Sequence, residues 1–279
     1  MDNERDALRI ATLNLRYGSA DDGANSWRHR SDLLVRVVRE IDPDILATQE
    51  GLPFQLEELD AALPQMGRFG LGRYHGVAVD RPHEAYSGEH CAIYYRRPRF
   101  ELVHTSTLWL SETPEVPGSL GWGAGLARIV THGRVRESPS GRELSLINTH
   151  FHWGEEVTRR STDVLCDLLA DVPESSPVVL TGDFNLPPSS PEHERLTTVG
   201  LSGGRRLLDA CAAASGCDEG SGTSHGFTGV PENRIDWILA SSDLRVAGAR
   251  VVRDEEDGRY PSDHFAVVAD LVPGGSTDM

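Results

Sequence analysis

Val178-Val179-Leu180-Thr181-Gly182-Asp183-Phe184-Asn185 is the stretch that decides the fold, because a run of apolar residues stops there at two polar ones. A short apolar run between turn-forming residues is typical of a strand covered on both faces. Side chains two apart in a strand share a face, so Asp183 and Asn185 can offer a carboxylate and an amide to one cavity. The alternative is a strand end followed by an Asx turn before Pro187-Pro188.

The composition predicts a soluble globular protein. The chain has 279 residues, of which 38% are hydrophobic and 25% charged, and these values fit neither disorder nor a membrane protein. No segment approaches the roughly 18 uninterrupted apolar residues of a membrane span, and residues 1–9 lack the apolar core of a signal peptide. We therefore expect a cytoplasmic enzyme, and because no linker divides the chain, one catalytic domain over residues 1–279.

The charge balance bears on the substrate. The net charge is −16, and all 27 basic residues are arginine. Proteins that bind long nucleic acid usually present a basic face, so a chain this acidic must concentrate its arginines locally to do so. The charge therefore disfavours a general nuclease without excluding one.

The four cysteines follow no Cys-x-x-Cys spacing and are predicted to be free buried thiols. A disulfide between Cys211 and Cys217 is the alternative, which a chain of this size without an export signal makes less favoured.

Two similar units are predicted along the chain. A strand over residues 8–15, a helix over 27–40 and a strand over 45–48 lead to Glu50, and a strand over 144–149, a helix over 155–170 and the strand from 178 lead to Asp183. Both units end at a carboxylate, which suggests two layers delivering acids to a common edge. Further strands are expected over 69–79, 89–96, 99–110, 126–136, 142–151, 234–240, 245–252 and 265–271, helices over 52–63 and 191–199, and long loops over 111–125 and 215–229.

Acids, amides and imidazoles gather at the predicted strand ends. Burying several carboxylates together is costly unless a cation or hydrogen bonds compensate. Oxygen ligands favour Mg²⁺, or alternatively Mn²⁺, over zinc, and Glu50 is the leading ligand. The residues at these strand ends are Asn14, Glu50, His150, Asp183, Asn185, Asp236, Asp263 and His264.

Six ordered motifs resemble those of the endonuclease/exonuclease/phosphatase superfamily, which includes exonuclease III-like nucleases, pancreatic deoxyribonuclease, sphingomyelinases, inositol polyphosphate 5-phosphatases and deadenylases. The resemblance implies an α+β fold, a two-layer β-sandwich of mixed sheets flanked by helices (four layers, α/β/β/α), with the site where strand ends of both sheets converge. The motifs are Thr12-Leu13-Asn14, Thr48-Gln49-Glu50, Asn148-Thr149-His150, Thr181-Gly182-Asp183-Phe184-Asn185, Arg234-Ile235-Asp236-Trp237-Ile238 and Ser262-Asp263-His264.

The resemblance also implies roles for the metal-side residues and the water. Glu50 and Asn14 would bind the metal, and Asp263 would help them or orient His264. Asp183, together with Asn185, would position and activate the attacking water.

The same resemblance places His150 and His264 at the scissile phosphate, where they would donate to its non-bridging oxygens, with Asp236 orienting His150. Such a set suits phosphoryl transfer, which needs positioning and charge neutralisation more than covalent chemistry.

Substrate contacts are predicted less directly. Two stretches, residues 109–114 and 222–227, resemble an uncharacterised bacterial branch and would line the cleft, although such stretches can simply be loops. Arg159 and Arg160 could also hold a phosphate, with surface ion pairs as their alternative role. The substrate-binding candidates are Arg128, His225, Phe227 and Tyr86.

Three functions are consistent with these observations. The first is a Mg²⁺-dependent phosphohydrolase acting on a small phosphoester such as a nucleotide or sugar phosphate. The second is a nuclease or deadenylase-like enzyme with nucleic acid as its partner, and the third is a catalytically silent binding module. No protein partner is indicated, and the sequence does not distinguish monoester from diester substrates.

Overall fold

The computed structural model describes residues 7–77, 88–214, 216–217 and 221–274. Among these residues, twelve strands form two six-stranded sheets. The strands are β1 (Leu8–Asn14), β2 (Ile45–Gln49), β3 (Met66–Phe69), β4 (Ile93–Arg96), β5 (Phe100–Trp109), β6 (Ile129–Glu137), β7 (Glu143–His150), β8 (Val178–Asp183), β9 (Leu207–Asp209), β10 (Asp236–Ser241), β11 (Leu244–Val252) and β12 (Ala266–Pro273). The first sheet has the order β11-β12-β1-β2-β4-β3 and the second the order β5-β6-β7-β8-β10-β9.

Helices connect and cover the sheets. The α-helices of the described chain are α1 (Ser31–Ile41), α2 (Pro53–Ala62), α3 (Glu155–Ala170), α4 (Pro191–Thr198) and α5 (Ala210–Ala213), and 3₁₀ turns occur at Gly23–Asn25, Trp27–His29 and Ser202–Gly204. None of the helices described is long and apolar enough to cross a membrane.

Apolar side chains pack in three layers that define the architecture. Residues such as Ile10 and Leu146 fill the space between the two sheets. Leu34 of α1 packs on the outer face of the first sheet, and Leu165 of α3 packs on the outer face of the second. The arrangement is therefore helix, sheet, sheet, helix, which confirms the predicted four-layer sandwich.

The two predicted strand–helix–strand units are present, one in each sheet. Strands β1 and β2 are parallel and connected through α1, and β7 and β8 are parallel and connected through α3. Parallel strands end at the same edge, so Asn14 lies in register with Gln49, and His150 with Asp183. The carboxyl ends of both units face one side of the molecule.

Two local predictions differ from the structure, and two short elements were not predicted. The predicted helix over 27–40 is divided at Arg30, whose backbone (φ −129°) is not helical. The strand predicted over 69–79 is instead β3, which ends where Gly70 takes a left-handed φ of 110°; residues 78–79 lie outside the described part of the chain. The short elements β9 and α5 were not predicted, because three or four residues are too few to show a period.

The cysteine prediction is also corrected. Cys211 and Cys217 form a disulfide, because α5 and the turn after it return the chain until the two Cα atoms are 5.2 Å apart. Cys91 and Cys166 are free, as expected, but only Cys91 is buried, and Cys166 is half-buried.

Candidate active site

Strand ends from the two sheets meet at one edge of the sandwich. Asn14 ends β1, Glu50 follows β2, and Asp183 ends β8. The amide Nδ2 of Asn14 donates to Asp183 Oδ2 at 3.0 Å and to Glu50 Oε1 at 3.1 Å. One amide thus links carboxylates that belong to different sheets.

The backbone at this edge is shaped to bring the side chains together. A Cβ atom on Gly182 would lie 2.4 Å from the carbonyl oxygen of Thr149, so only glycine allows β7 and β8 to approach this closely. Glu50 and Asn185 both have left-handed φ values, 61° and 54°, which turn the chain sharply just after each strand. Asparagine tolerates that conformation, but for glutamate it is uncommon and marks a functional position.

Asp183 is the hub of the site. Besides Asn14, its Oδ2 lies 3.4 Å from His150 Nε2 and 3.9 Å from His264 Nδ1, while its Oδ1 accepts from the backbone N–H of Asn185 at 2.9 Å. Burial, reinforced by the charge of Asp236, raises the pKa of the Asp183 carboxyl well above its usual range. Asp183 is therefore suited to exchange a proton near neutral pH.

His264 is held in its charged form. Its Nδ1 donates to Asp236 Oδ2 at 2.8 Å. Burial acts to lower the pKa of His264, but the carboxylates of Asp236 and Asp183 outweigh it and hold this pKa well above the ordinary value.

This contact corrects the expected pairing of Asp236 with His150. Thr223 brings the two segments together, because its hydroxyl accepts from the backbone N–H of Asp236 at 3.3 Å and its carbonyl accepts from the backbone N–H of Phe265 at 2.8 Å, next to His264. The second oxygen of Asp236, Oδ1, is buried without a hydrogen-bond partner among the described residues.

His150 has a different partner and a different charge. Its Nδ1 lies 2.8 Å from Nη1 of Arg128, and because arginine keeps its proton, Nδ1 must accept and the remaining proton must sit on Nε2. Burial, followed by the Arg128 charge, lowers the pKa of His150 well below its ordinary value. The site therefore holds one neutral histidine, His150, and one charged histidine, His264.

Oxygen atoms gather on the side of the site that belongs to the first sheet. Glu50 Oε2 accepts from the backbone N–H of Tyr17 at 2.7 Å, and Asp263 Oδ2 lies 3.6 Å from Arg16 Nη1. Burial and the charge of Glu50 raise the pKa of Asp263, which means that its ionised form lacks sufficient compensation. Carboxylate and amide oxygens are the ligands that a hard divalent cation prefers, and a bound cation would compensate the charge of these carboxylates.

A second group could also approach a metal. Single ligand atoms of Asp183, Asp236 and His264 lie within 4.8 Å of one another. The short distances in this group reflect the hydrogen bond between His264 and Asp236.

The predicted substrate contacts separate into three kinds. Arg128 lies in the site on His150. His225 is buried and stacks on Phe265 at 4.0 Å between ring centroids, and Phe227 packs on the buried guanidinium of Arg30. Tyr86 lies outside the described residues.

The remaining candidates serve the surroundings of the site. Arg159 and Arg160 both pair with Glu156 on the surface, the alternative considered for them. In the stretch 109–114, the indole N–H of Trp109 donates to the carbonyl of Arg73 at 2.6 Å. Arg73 itself pairs with Glu89 at 2.9 Å, and Glu89 lies 3.5 Å from Arg128, so these residues support the arginine at His150.

Two supporting contacts were missed from the sequence. Gln49 Nε2 donates to Asn148 Oδ1 at 2.7 Å, and this contact joins the two sheets directly beneath the site. Arg30 is almost fully buried and donates to the carbonyls of Leu15 and Pro261, both at 2.8 Å. Gln49 and Asn148 occur inside motifs identified from the sequence. Arg30 lies in a stretch predicted to be an ordinary helix, so nothing in the sequence marks it as buried.

Residues 11–264 match the profile of the endonuclease/exonuclease/phosphatase family. The chain belongs to this family. Enzymes of the family are hydrolases of phosphoesters that depend on divalent metal.

Three relatives illustrate the range of this endonuclease/exonuclease/phosphatase family. The solved mannosyl-6-phosphatase of Bacteroides thetaiotaomicron is 32% identical, with a TM-score of 0.84 over 95% of this chain and 99% of that one. Nocturnin of Drosophila melanogaster is 25% identical over 96% of this chain and 47% of its own length. The CCR4-Not complex 3'-5'-exoribonuclease subunit Ccr4 of Yarrowia lipolytica is 23% identical over 89% of this chain and 44% of its own length. The chain thus spans about half the length of these two curated relatives.

Proposed function

We propose that this protein is a Mg²⁺-dependent phosphohydrolase that cleaves a small phosphorylated metabolite, a sugar phosphate or a nucleotide, by in-line attack of water. One observation carries the proposal: a charged His264 and a neutral His150, paired with Arg128, flank Asp183 opposite the carboxylates of the first sheet. Cationic and N–H groups on one side and oxygen ligands on the other match the needs of phosphoryl transfer.

Glu50, Asn14 and Asp263 are the residues proposed to hold the metal, with Mn²⁺ as the alternative ion. When bound there, the ion would supply charge neutralisation at the phosphate oxygens. Burial, reinforced by the charge of Glu50, raises the pKa of Asp263, and a bound cation would offset both effects.

Asp183 is proposed to accept the proton of the attacking water. A general base works best when its pKa is near the working pH, and burial moves the pKa of Asp183 in that direction. The side-chain Nδ2 of Asn185 donates to the carbonyl of Phe151 at 2.9 Å, so its amide is held in a fixed orientation beside Asp183.

The histidines and Arg128 are proposed to bind the phosphoryl oxygens. Asp236 occupies Nδ1 of His264, which leaves its Nε2–H available as a donor. By contrast, Nε2 of His150 already lies 3.4 Å from Asp183 Oδ2 and 3.1 Å from Asn185 Nδ2 and would have to turn from them to the substrate. A terminal phosphate carries more charge than a diester, and the guanidinium of Arg128 supplies a permanent cation beside His150.

Two observations support a small substrate. The net charge is −16 in a chain without lysine, which opposes the binding of long polyanions. The Bacteroides relative that shares 32% identity over nearly the full length of both chains is a mannosyl-6-phosphatase.

A nuclease is the second candidate, favoured by the similarity to the exoribonuclease Ccr4. To decide, the purified protein with Mg²⁺ is assayed for phosphate release from hexose phosphates and nucleoside monophosphates, and for cleavage of single- and double-stranded DNA and RNA. Release from small monoesters with intact nucleic acid is the expected result. Cleavage of nucleic acid at low enzyme concentration, with inert small esters, would contradict it.

The same assay tests the metal and the site. Chelation with EDTA should abolish phosphate release, and Mg²⁺ or Mn²⁺ should restore it, whereas activity that survives chelation would refute the metal requirement. Asp183→Asn serves as the inactive control, since full activity in that variant would place the reaction elsewhere. A wild-type protein inert towards every ester would instead favour the silent binding module.

A further inference from the structure

A groove opens beside the proposed phosphate site, between the first turns of α3 and α4. It has a volume of about 590 Å³, in the range of small-molecule sites. Asn185 belongs to both the active site and the wall of this groove, and the indole of Trp153 forms another wall, 5.9 Å from the Arg128 guanidinium. We call this space the Trp153 groove, and any group esterified to a phosphate held by His150 would extend towards it.

Trp153 presents an unusually open aromatic surface. It is 61% exposed, although indole is among the side chains that gain most from burial. Its position is fixed by the edge contact with His152, at 5.6 Å between ring centroids. The groove therefore has one flat apolar wall that can pack on the face of a ring.

The groove also has a polar wall, which is formed by Glu192, the second residue of α4. Glu192 is only 7% exposed, and its Oε1 accepts a hydrogen bond from the hydroxyl of Thr158 at 2.9 Å. Within the described residues, the other oxygen has no hydrogen-bond or ion-pair partner, and Glu192 lines the groove. Because this oxygen is not closed off from the groove, it is open to a ligand that donates hydrogen bonds.

The two arginines that share the groove do not neutralise this carboxylate. Arg159 pairs with Glu156 at 2.8 Å, and Arg195 pairs with Asp163. Instead, the N–H groups at the start of α4 favour the negative charge of Glu192. The carboxylate remains available as an acceptor for neutral donors such as hydroxyl groups.

We infer that the Trp153 groove binds the sugar ring of a phosphorylated hexose, with the C–H face on Trp153 and hydroxyl groups on Glu192. A hexose 6-phosphate fits this geometry because its ring begins one carbon from the ester oxygen, next to Asn185. The ribose of a nucleoside 5'-monophosphate begins at the same distance, but it is a smaller ring with fewer free hydroxyl groups, and its base would lie beyond it. The inference rests on the proposed phosphohydrolase activity and names its substrate class.

The test compares substrates that differ only in what the groove can recognise. Phosphate release is measured from mannose and glucose 6-phosphates, from nucleoside 5'-monophosphates, and from ethyl phosphate, which carries no ring. Glu192→Gln and Trp153→Ala should each lower kcat/KM for the hexose phosphates by about 10- to 100-fold and leave ethyl phosphate within about twofold. Glu194→Gln on the same helix and Val116→Ala at another exposed apolar position are the matched controls.

Each other outcome contradicts the inference in a recognisable way. If kcat/KM falls equally for all substrates, or falls for none, the groove does not bind the sugar ring. Selective loss on nucleoside monophosphates assigns the groove to a nucleoside instead. A wild-type protein that releases phosphate from no monoester refutes the proposed function itself, and the sugar assignment with it. Because Trp153 is a surface residue, its substitution tests the groove even if Glu192→Gln lowers stability.

Discussion

The two histidines of the site show how single neighbours decide the chemistry of identical side chains. His264 lies against two carboxylates and is held charged, whereas His150 lies against a guanidinium and is held neutral. Environment therefore separates their protonation states by opposite shifts of pKa. The partner of each ring nitrogen is the detail on which the proposed mechanism depends.

Removing the charge of Asp236 should disable His264. In Asp236→Asn the shape of the side chain is kept, but the carboxylate that orients and charges the imidazole is lost. We expect kcat for phosphate release to fall by about 10²- to 10⁴-fold. Substitution of the exposed Asp254 in Asp254→Asn is the control. If kcat of Asp236→Asn falls by less than threefold, His264 does not need the carboxylate of Asp236.

Arg30 has a supporting role that can be measured as stability. Its guanidinium joins the loop after Asn14 to the loop before Asp263 through the carbonyls of Leu15 and Pro261. Arg30→Met would leave these carbonyls unsatisfied in a buried position, and we expect the free energy of unfolding in urea to fall by about 2–5 kcal/mol. The exposed Arg28→Met should change it little. Equal unfolding curves for the two variants would deny Arg30 this role.

Among the elements, β9 and α5 show how one side chain can organise a short segment. Asp209 accepts from the backbone N–H groups of Cys211 and Ala212 at the start of α5. It also lies 2.7 Å from Arg234 Nη2 and 2.8 Å from His193 Nε2. Burial acts to raise the pKa of Asp209, but His193 and Arg234 together lower it to about 2.

This low pKa predicts a defined acid response. Because the pKa of Asp209 is lower in the folded state than the unperturbed 3.8, its stabilisation is complete above about pH 4 and is lost as the pH falls towards 2. The shift corresponds to about 2 kcal/mol. Asp209→Asn should therefore lose about that much at pH 7 and show a flatter change between pH 4 and 2. Unfolding in urea at several pH values measures both, and parallel pH profiles for the two proteins would contradict the assignment.

Elements with a strong period were predictable from the sequence, but their partners were not. The apolar run of β8 and the helical spacing of α3 predicted that Asp183 lies at a strand end. The same pattern in the first unit predicted that Glu50 lies at the same edge of the molecule. The pairing of Asp236 with His264 depends on how β10 and the segment before β12 lie together, which no local pattern records. Likewise, Arg128 precedes β6 and meets His150 only because β6 and β7 are antiparallel neighbours.

At the scale of the whole molecule, the geometry of the site depends on a fixed distance between the two sheets. Beneath it, Asn148 of the second sheet accepts from Gln49 and donates to the carbonyls of Thr48 and Ala92 in or beside the first. The contact is fully buried and polar in an otherwise apolar interior, so its geometry is specific. The motifs that supply candidate site residues thus also supply the hydrogen bonds that join the two sheets.

Loss of this inter-sheet contact should weaken stability and activity together. Asn148→Ala leaves two carbonyls and one amide of the first sheet without their buried partner, and we expect a loss of about 2–4 kcal/mol in the free energy of unfolding. Ser145→Ala removes a buried hydrogen bond to Ser176 that does not cross between the sheets, and it is the matched control. If both variants lose similar stability and Asn148→Ala keeps full activity, the contact does not align the site.

The strand order also determines when the enzyme becomes complete during its synthesis. The second sheet draws all its strands from residues 100–241, whereas the first must wait for β11 and β12 to join β1. Asp263 and His264 lie just before β12, so they leave the ribosome after every other proposed active-site residue. A nascent chain stalled at residue 255 lacks Asp263 and His264 and should hydrolyse no phosphoester, which arrested translation followed by an activity assay can measure. The candidate site is therefore complete only after β12 has joined β1.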